Sequence, residues 1–356
     1  MSATRYRVGV LGATGLVGGR IVSLVADHPW FELRALGASE RSAGRPYGEV
    51  VYGGLGAIPR DVGERIVRGC DAGGFDDCDV LFSALDAATA APLESALAEA
   101  GAAVVSNSSA HRQSPRVPLL VPEVNARHVD LIAAQRARAT DGYIVTNPNC
   151  SAAGLIVALA PLHREVGVRR LVVTTLQALS GAGADGPRGV EILDNVIPWI
   201  AGEEDKIERE TCKMLGDVRG ETVEPADIEI SAHCHRVATL DGHLEAVSVE
   251  CERDVDPERA TRMLAEFRGD VADLGLPTSP ARLIEVRGEP DRPQPRLDRD
   301  AGRGMTVVVG RLRRCNVLTL RFELLSHNLM RGAAGGAVLN AELLAARDML
   351  PRRTRS

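Results

Sequence analysis

The hydrophobic pattern divides the chain into two halves. Arg5 to Leu11 alternates and then ends in apolar residues, which predicts a first strand. A glycine-rich turn follows, and an amphipathic stretch to about Val25 predicts a helix. Short apolar runs at Phe31–Leu36 and Val80–Ala84 predict two more strands. An alanine-rich helix is expected from about Ala90 to Ala100, closed by Gly101. Val104 opens a strand that leaves into a polar loop ending at Arg112, and Pro115 to Asn125 reads as loop. Tyr143 to Val145 is another short apolar run, and Ala152 to His163 predicts an apolar helix. Strands alternating with helices give a parallel, doubly wound sheet through Cys150.

Beyond that helix the period changes. Arg170–Ala178, Ile228–Val237, Leu244–Cys251, Thr306–Arg311 and Val317–Leu325 read as strands, mostly alternating as half-buried ones do. Such a run predicts a mostly antiparallel sheet in a second, α+β domain. Between them, Val190 to Leu215 is expected to be helical with breaks at Pro198 and Gly202. Arg287 to Gly304 is rich in Pro, Arg and Asp and reads as an exposed loop. Gly332 to Asp348 predicts a helix with a small-residue face, suited to packing back on the first domain. The expected division is 1–149 with 331–356 as a dinucleotide-binding domain and 150–330 as a catalytic and dimerisation domain.

The composition narrows the class. A chain of 356 residues, 45% hydrophobic and 25% charged, is expected to be a globular protein of two domains. The net charge of −6 comes with no basic block, which argues against nucleic acid. Apolar runs of about a dozen residues are too short to span a bilayer. Seven scattered cysteines and a start that enters a strand directly point to reduced thiols and a cytoplasmic location. His233-Cys234-His235 resembles a metal cluster, but neighbours in a strand face opposite ways, so no metal is expected.

Two stretches carry chemistry. Gly12 to Gly18, GATGLVG, lies between strand and helix, where glycines admit a pyrophosphate and the helix N-terminus attracts it. This is a Rossmann-like start, although an unliganded glycine turn would look the same. The second strand ends without the acid that would bond a ribose 2′-hydroxyl. Ser39, Arg41 and Ser42 follow instead and suit a 2′-phosphate, which predicts NADP(H) over NAD(H); Glu40 must then point to water. The second stretch is NPNCS, Asn147 to Ser151. Cys150 stands where a strand meets a helix, so free amides and the dipole should favour its thiolate and could hold an oxyanion. A buried structural cysteine is the competing reading of that stretch taken alone. Glu203 and Lys206, three apart, share a helix face.

In order, the chain carries GATGLVG at 12–18, ASERSAG at 38–44, SNSSAHR at 106–112, VPEVN at 121–125, NPNCS at 147–151, QALSGAG at 177–183, EEDK at 203–206, the Arg236 to His243 segment and HNLMRGAAGGAVLNAELL at 327–344. Together these resemble the aspartate-semialdehyde dehydrogenases, especially their archaeal and fungal branch, over nearly the whole chain. The resemblance implies NADPH-dependent reduction of β-aspartyl phosphate to aspartate β-semialdehyde, with release of phosphate. It implies that Cys150 is the acylated nucleophile, with Asn149 beside it, that Gln177 orients the acyl group and that His243 is the general acid/base. It further implies Arg236 on the substrate α-carboxylate, Glu203 on its α-ammonium, and Lys206 and Arg112 on the phosphate. Cofactor contacts are implied for Gly12, Thr14, Gly15, Leu16, Val17, Ser39, Arg41, Ser42, Ser83, Ser180, Gly181 and Asn328. The small-molecule substrate, phosphate and a homodimer or homotetramer are the implied partners.

The residue types suit that chemistry. A thiolate divides the reduction into thioester formation and hydride transfer, and a bidentate guanidinium matches a carboxylate in a way lysine cannot. The sequence departs from the resemblance at Ala238 and Thr239, where the family usually has proline and valine, and His111, His233 and His235 have no assigned role. Other readings are an N-acetylglutamyl-phosphate reductase, against which Glu203 argues, an acyl-CoA reductase such as one acting on malonyl-CoA, and a non-catalytic NADP-sensing protein.

Overall fold

The computed structural model describes residues 5–53, 58–138, 141–186 and 189–351. The first four residues and 352–356, assigned above to the first domain, lie outside the described residues.

The first half builds one parallel sheet. Its strands are β1 (Tyr6–Leu11), β2 (Phe31–Ala38), β3 (Arg68–Gly69), β4 (Val80–Ser83), β5 (Ala103–Ser106) and β6 (Tyr143–Thr146), in the order β3-β2-β1-β4-β5-β6. All five pairings are parallel. The helices α1 (Leu16–Ala26) and α2 (Ala87–Glu99) make two of the crossovers. The Asp86 carboxylate starts α2 by accepting from the amides of Ala88 and Thr89. The short strands read as apolar runs because burial on both faces removes alternation.

Helix α3 (Cys150–Val166) leads out of β6 into the second sheet. That sheet holds β7 (Val168–Gln177), β8 (Glu229–Arg236), β9 (His243–Cys251), β10 (Ile284–Arg287), β11 (Val307–Arg314) and β12 (Leu320–Ser326), ordered β8-β7-β9-β12-β11-β10. The three central pairings are antiparallel, and each edge strand joins in parallel. One face packs its aliphatic side chains on α3, as Val173, Val247, Val249 and Leu324 do. α4 (Glu203–Leu215) lies along the edge strand β8, and its Glu204 and Glu208 accept from the amides of Cys234 and Ala232, each at 3.1 Å. A final helix, α5 (Gly335–Ala346), follows a wider π-type turn at Met330–Ala334 and returns to the first core beside Val8, Val10 and Ile21.

Three stretches differ from the sequence reading. The expected helix from Val190 to Leu215 is only a turn at Gly189–Ile192 and then α4, because Gly202 takes φ +66° and Ile197 bridges to Arg236 instead. The loop expected at 287–304 begins on β10 and folds around buried Asp298, which accepts from Arg287 Nε at 3.2 Å, Arg292 Nε at 2.7 Å and the Gln294 amide at 2.7 Å. The loop at 115–125 closes in a helical turn, Pro122–Asn125. Among the described residues, no helix is long and apolar enough to cross a membrane.

Candidate active site

The end of β6 sets the site. The Asn147 amide donates to Ser106 O, and its side-chain amide reaches Asn107 Oδ1 at 3.0 Å and Ala333 O at 2.7 Å. Asn149 is the N-cap of α3, its Oδ1 accepting from the Ser151 amide at 2.9 Å and the Ala152 amide at 3.2 Å. Cys150 is therefore the first helical residue, as NPNCS suggested. Gly332 backs it closely: a Cβ there would sit 2.7 Å from Cys150 Cβ, so no larger residue fits.

His243, the first residue of β9, meets the sulfur, with Nε2 3.2 Å from Sγ. Its Nδ1 accepts from the Ala178 amide at 3.0 Å. That bond assigns the ring proton to Nε2, facing the sulfur. Arg236 ends β8, on the other side of β7, and donates from Nη1 to Ala178 O at 2.7 Å. A Cβ at Gly181 would lie 2.9 Å from both Arg236 Nη1 and His243 Cε1, so this glycine lets the turn pass over guanidinium and imidazole. Without the family's proline, the Arg236–His243 segment is held by main-chain bonds, Val237 N to Gln177 O, Leu179 N to Thr239 O and Ser180 N to Leu240 O.

α4 adds the charges. Glu203 Oε2 accepts from Asn149 Nδ2 at 2.7 Å and Gln177 Nε2 at 3.3 Å, and its Oε1 from Lys206 Nζ at 2.9 Å. Arg112 donates to Glu210 Oε1 at 3.1 Å and Asn107 O at 2.7 Å. Cys150, Arg112, Glu203, Lys206 and Asn328 open into a cleft of about 300 Å³, whose other wall is Val17 of α1 with Leu85 and Asp86 from the turn after β4. Asn328 braces the cleft, accepting from the Gly242 amide and donating to Ser180 Oγ, both at 2.8 Å.

The electrostatics correct one expectation. Burial pushes the Cys150 thiol up to about 12, the Glu203 charge adds to the rise, and Arg112 and Arg236 oppose it. The resting sulfur is a thiol rather than the thiolate expected from its helix position. Burial and the Arg236 charge push His243 down to about 3, so the imidazole is neutral. Burial acts to raise Glu203, but the charge of Lys206 and the hydrogen bonds from Lys206, Asn149 and Gln177 outweigh it and hold the carboxyl below its ordinary value.

The glycine turn after β1 can take a dinucleotide. Gly12 has φ +71°, and a Cβ at Gly18 would lie 2.1 Å from Gly12 O, so turn and helix touch. Gly15 caps α1 without a side-chain bond, which leaves the first-turn amides, including those of Leu16 and Val17, open to a pyrophosphate. Thr14 is half-buried beside them. Leu11 pairs with Gly37, so Ser39, Arg41 and Ser42 leave the sheet at the same edge, and Glu40 is exposed. Ser83, in contrast, is wholly buried, and its carbonyl accepts from the Asn107 amide. Three buried groups near the nucleophile escaped the sequence reading: Glu210, Lys213 and Glu245. The stripe of positions 203, 206, 210 and 213 at helical spacing could have revealed the first two. His111 approaches buried Glu94 at 3.6 Å.

The fold and this cysteine–imidazole site define a semialdehyde dehydrogenase. Residues 7–132 match the model of the semialdehyde dehydrogenase NAD binding domain, and residues 159–331 that of the dimerisation domain. The chain is 49% identical to the aspartate-semialdehyde dehydrogenase of Archaeoglobus fulgidus over 341 residues, 96% of this chain and 98% of that protein. It is 43% identical to the Saccharomyces cerevisiae enzyme, over 96% of this chain and 98% of that one. The crystal structure of aspartate semialdehyde dehydrogenase with NADP from Candida albicans superposes with TM-score 0.90 at 41% identity, covering 98% of this chain and all of that one. The Vibrio cholerae aspartate semialdehyde dehydrogenase II complexed with ASA gives 0.77 at 28% identity, covering 97% and 99%. The chain belongs to the aspartate-semialdehyde dehydrogenase family.

Proposed function

We propose that this chain catalyses the NADPH-dependent reductive dephosphorylation of L-aspartyl 4-phosphate to L-aspartate 4-semialdehyde, a step of aspartate-family amino-acid biosynthesis. The observation that carries the reading is the 3.2 Å contact of buried His243 with Cys150, which lines a cleft shared with Glu203, Lys206 and Arg112.

Arg236 grips the substrate α-carboxylate through its fork of donors. The Glu203 carboxylate receives the α-ammonium, and Lys206 and Arg112 take the phosphate. The charges of Arg112 and Arg236 oppose the burial that raises the Cys150 pKa. The Cys150 sulfur attacks the acyl carbon, a C–S bond forms as the S–H bond breaks, and phosphate leaves with the bonding pair of the C–O bond and takes up the thiol proton. His243 Nε2–H faces the sulfur and can donate to the oxyanion that forms beside it, whereas the Ser151 and Ala152 amides are taken by the Asn149 cap. Gln177 and Asn149, both tied to Glu203, orient the acyl group. NADPH, when bound, supplies the hydride that reduces the thioester. The tetrahedral adduct then releases Cys150 as a thiolate, which accepts from His243 Nε2–H until it is reprotonated.

Residues Gly12, Thr14, Gly15, Leu16 and Val17 would cradle the pyrophosphate, and Ser39, Arg41 and Ser42 the 2′-phosphate. Ser180, Gly181 and Asn328 would line the nicotinamide end, whereas Ser83 is too deeply buried to reach it. Residues 1–149 with 331–356 form the NADP-binding domain, and 150–330 the catalytic and dimerisation domain. Exposed Val190, Leu193 and Trp199 support a homodimer or homotetramer. A cytoplasmic location suits a reaction that needs Cys150 as a free thiol.

The test is the oxidative reaction of aspartate semialdehyde with NADP. Turnover should require phosphate, prefer NADP to NAD and vanish in Cys150→Ala, while NADPH still binds that variant. A requirement for coenzyme A in place of phosphate overturns the reading in favour of an acyl-CoA reductase.

A further inference from the structure

Beyond Glu203 and Lys206, α4 carries a third charge toward the site. Glu210 lies two turns on from Glu203 along one face, is 1% exposed, and takes no part in the chemistry above. Its two oxygens serve different halves of the site. Oε1 accepts from Arg112 Nη1 at 3.1 Å, and Oε2 accepts from the backbone amide of Asn149, the residue that caps α3 ahead of Cys150. Lys213, one turn further, donates to the carbonyls of Arg112 at 2.6 Å, Ser114 at 2.6 Å and Val117 at 2.9 Å. One helix thus fixes both the main chain and the side chain of Arg112. Arg112 Nε is buried without a hydrogen-bond partner, a donor left over for an incoming anion.

We propose that Glu210 is a positioning residue that holds the Arg112 guanidinium and the turn before Cys150 in one fixed relation, so that phosphate and sulfur meet the acyl carbon together. The inference rests on the reading of Arg112 as a phosphate ligand. A carboxylate is suited to the task because it only accepts, and both contacts need an acceptor. A glutamine of the same shape has one oxygen and one NH₂, so it turns a donor against either Arg112 or the Asn149 amide. An aspartate keeps both acceptors on a shorter arm.

The test is steady-state kinetics in the oxidative direction with phosphate varied, for Arg112→Ala, Glu210→Gln, Glu210→Asp and the double variant Arg112→Ala/Glu210→Gln. Arg112→Ala should raise the phosphate KM at least about tenfold, as loss of a charge-assisted contact does. Glu210→Gln should raise it by about tenfold and lower kcat, with the KM for aspartate semialdehyde within about twofold of wild type. Glu210→Asp should recover part of the loss, and the double variant should have a phosphate KM no higher than Arg112→Ala alone. If Glu210→Gln does not fold by circular dichroism, the Asp variant carries the same comparison. An unchanged phosphate KM in the Glu210 variants, or losses that add in the double variant, overturn the inference while leaving Arg112 as ligand. An unchanged phosphate KM in Arg112→Ala overturns that reading and the inference with it.

Discussion

Helices α3 and α4 both bring polar groups to one cleft and share a core through Ile207 and Met214, but α4 is tied down by many more directional bonds. α3 is buried along its length from Ser151 to Leu162 and is placed by packing against the second sheet and the turn before α5. α4 is studded with charge, and directional bonds seat it: Glu203 to Asn149 and Gln177, Glu204 and Glu208 to the β8 amides, Glu210 to Arg112, Lys213 to three carbonyls. Packing fixes where the sulfur is but removes it from water and raises its pKa. Hydrogen bonds fix how the charges point and, at Glu203, help to hold the carboxyl below its ordinary value. Cys150 is therefore held in a fixed place as a thiol, with oriented charges around it.

Three experiments probe that contrast. The largest effect is expected from pH. The thiol stands near 12 in the resting enzyme, so the thiolate fraction should rise about tenfold per unit from pH 7 to 10. Iodoacetamide should alkylate Cys150 faster by about the same factors, and a plateau near pH 8 would show that burial does not govern the sulfur. Next, Glu203→Gln removes a charge from α4 without changing its shape. It should lower kcat/KM for aspartate semialdehyde by about 100-fold in steady-state assays, with only a small change in thermal midpoint, because the amide still accepts from Lys206 or Asn149. A large fall in midpoint would mean that α4 is a packing element after all. Finally, Gly154→Ala on α3 puts a Cβ 2.4 Å from Ser326 Cβ. Chemical denaturation should show a loss of about 1–3 kcal/mol from overpacking; no loss would mean that the α3–β12 contact can open freely.

The same contrast explains what was legible beforehand. The first sheet was readable because its strands are short apolar runs between turn signals, and Cys150 because a strand, a proline turn and an apolar helix bracket it. β10 was hidden because its Glu285 and Arg287 are half-buried polar residues in a run that resembles loop. The stretch from Val190 to Trp199 looked helical since nothing local records that Ile197 bridges to Arg236. Buried carboxylates such as Glu210 and Glu245 look like solvated ones in a sequence. Glu245, with both oxygens unpartnered and its pKa raised by burial, is known only from the tertiary structure. The sulfur's protonation differs from the expectation for the same reason: the helix start is local, whereas residues far along the chain, Gly332 and His243, close around it.

The return of α5 bears on how this chain comes to be folded. Ala337, Val338, Leu339, Ala341, Leu343 and Leu344 complete a core begun by Val8, Val10, Ile21 and Val22, more than 300 residues earlier. On the ribosome the nucleotide-binding half emerges first but must wait, its interior open, until nearly the last residues are made. A chain cut short before Leu339 would lose the lid of its first-made part, so the quality of the amino terminus is decided at the carboxyl end.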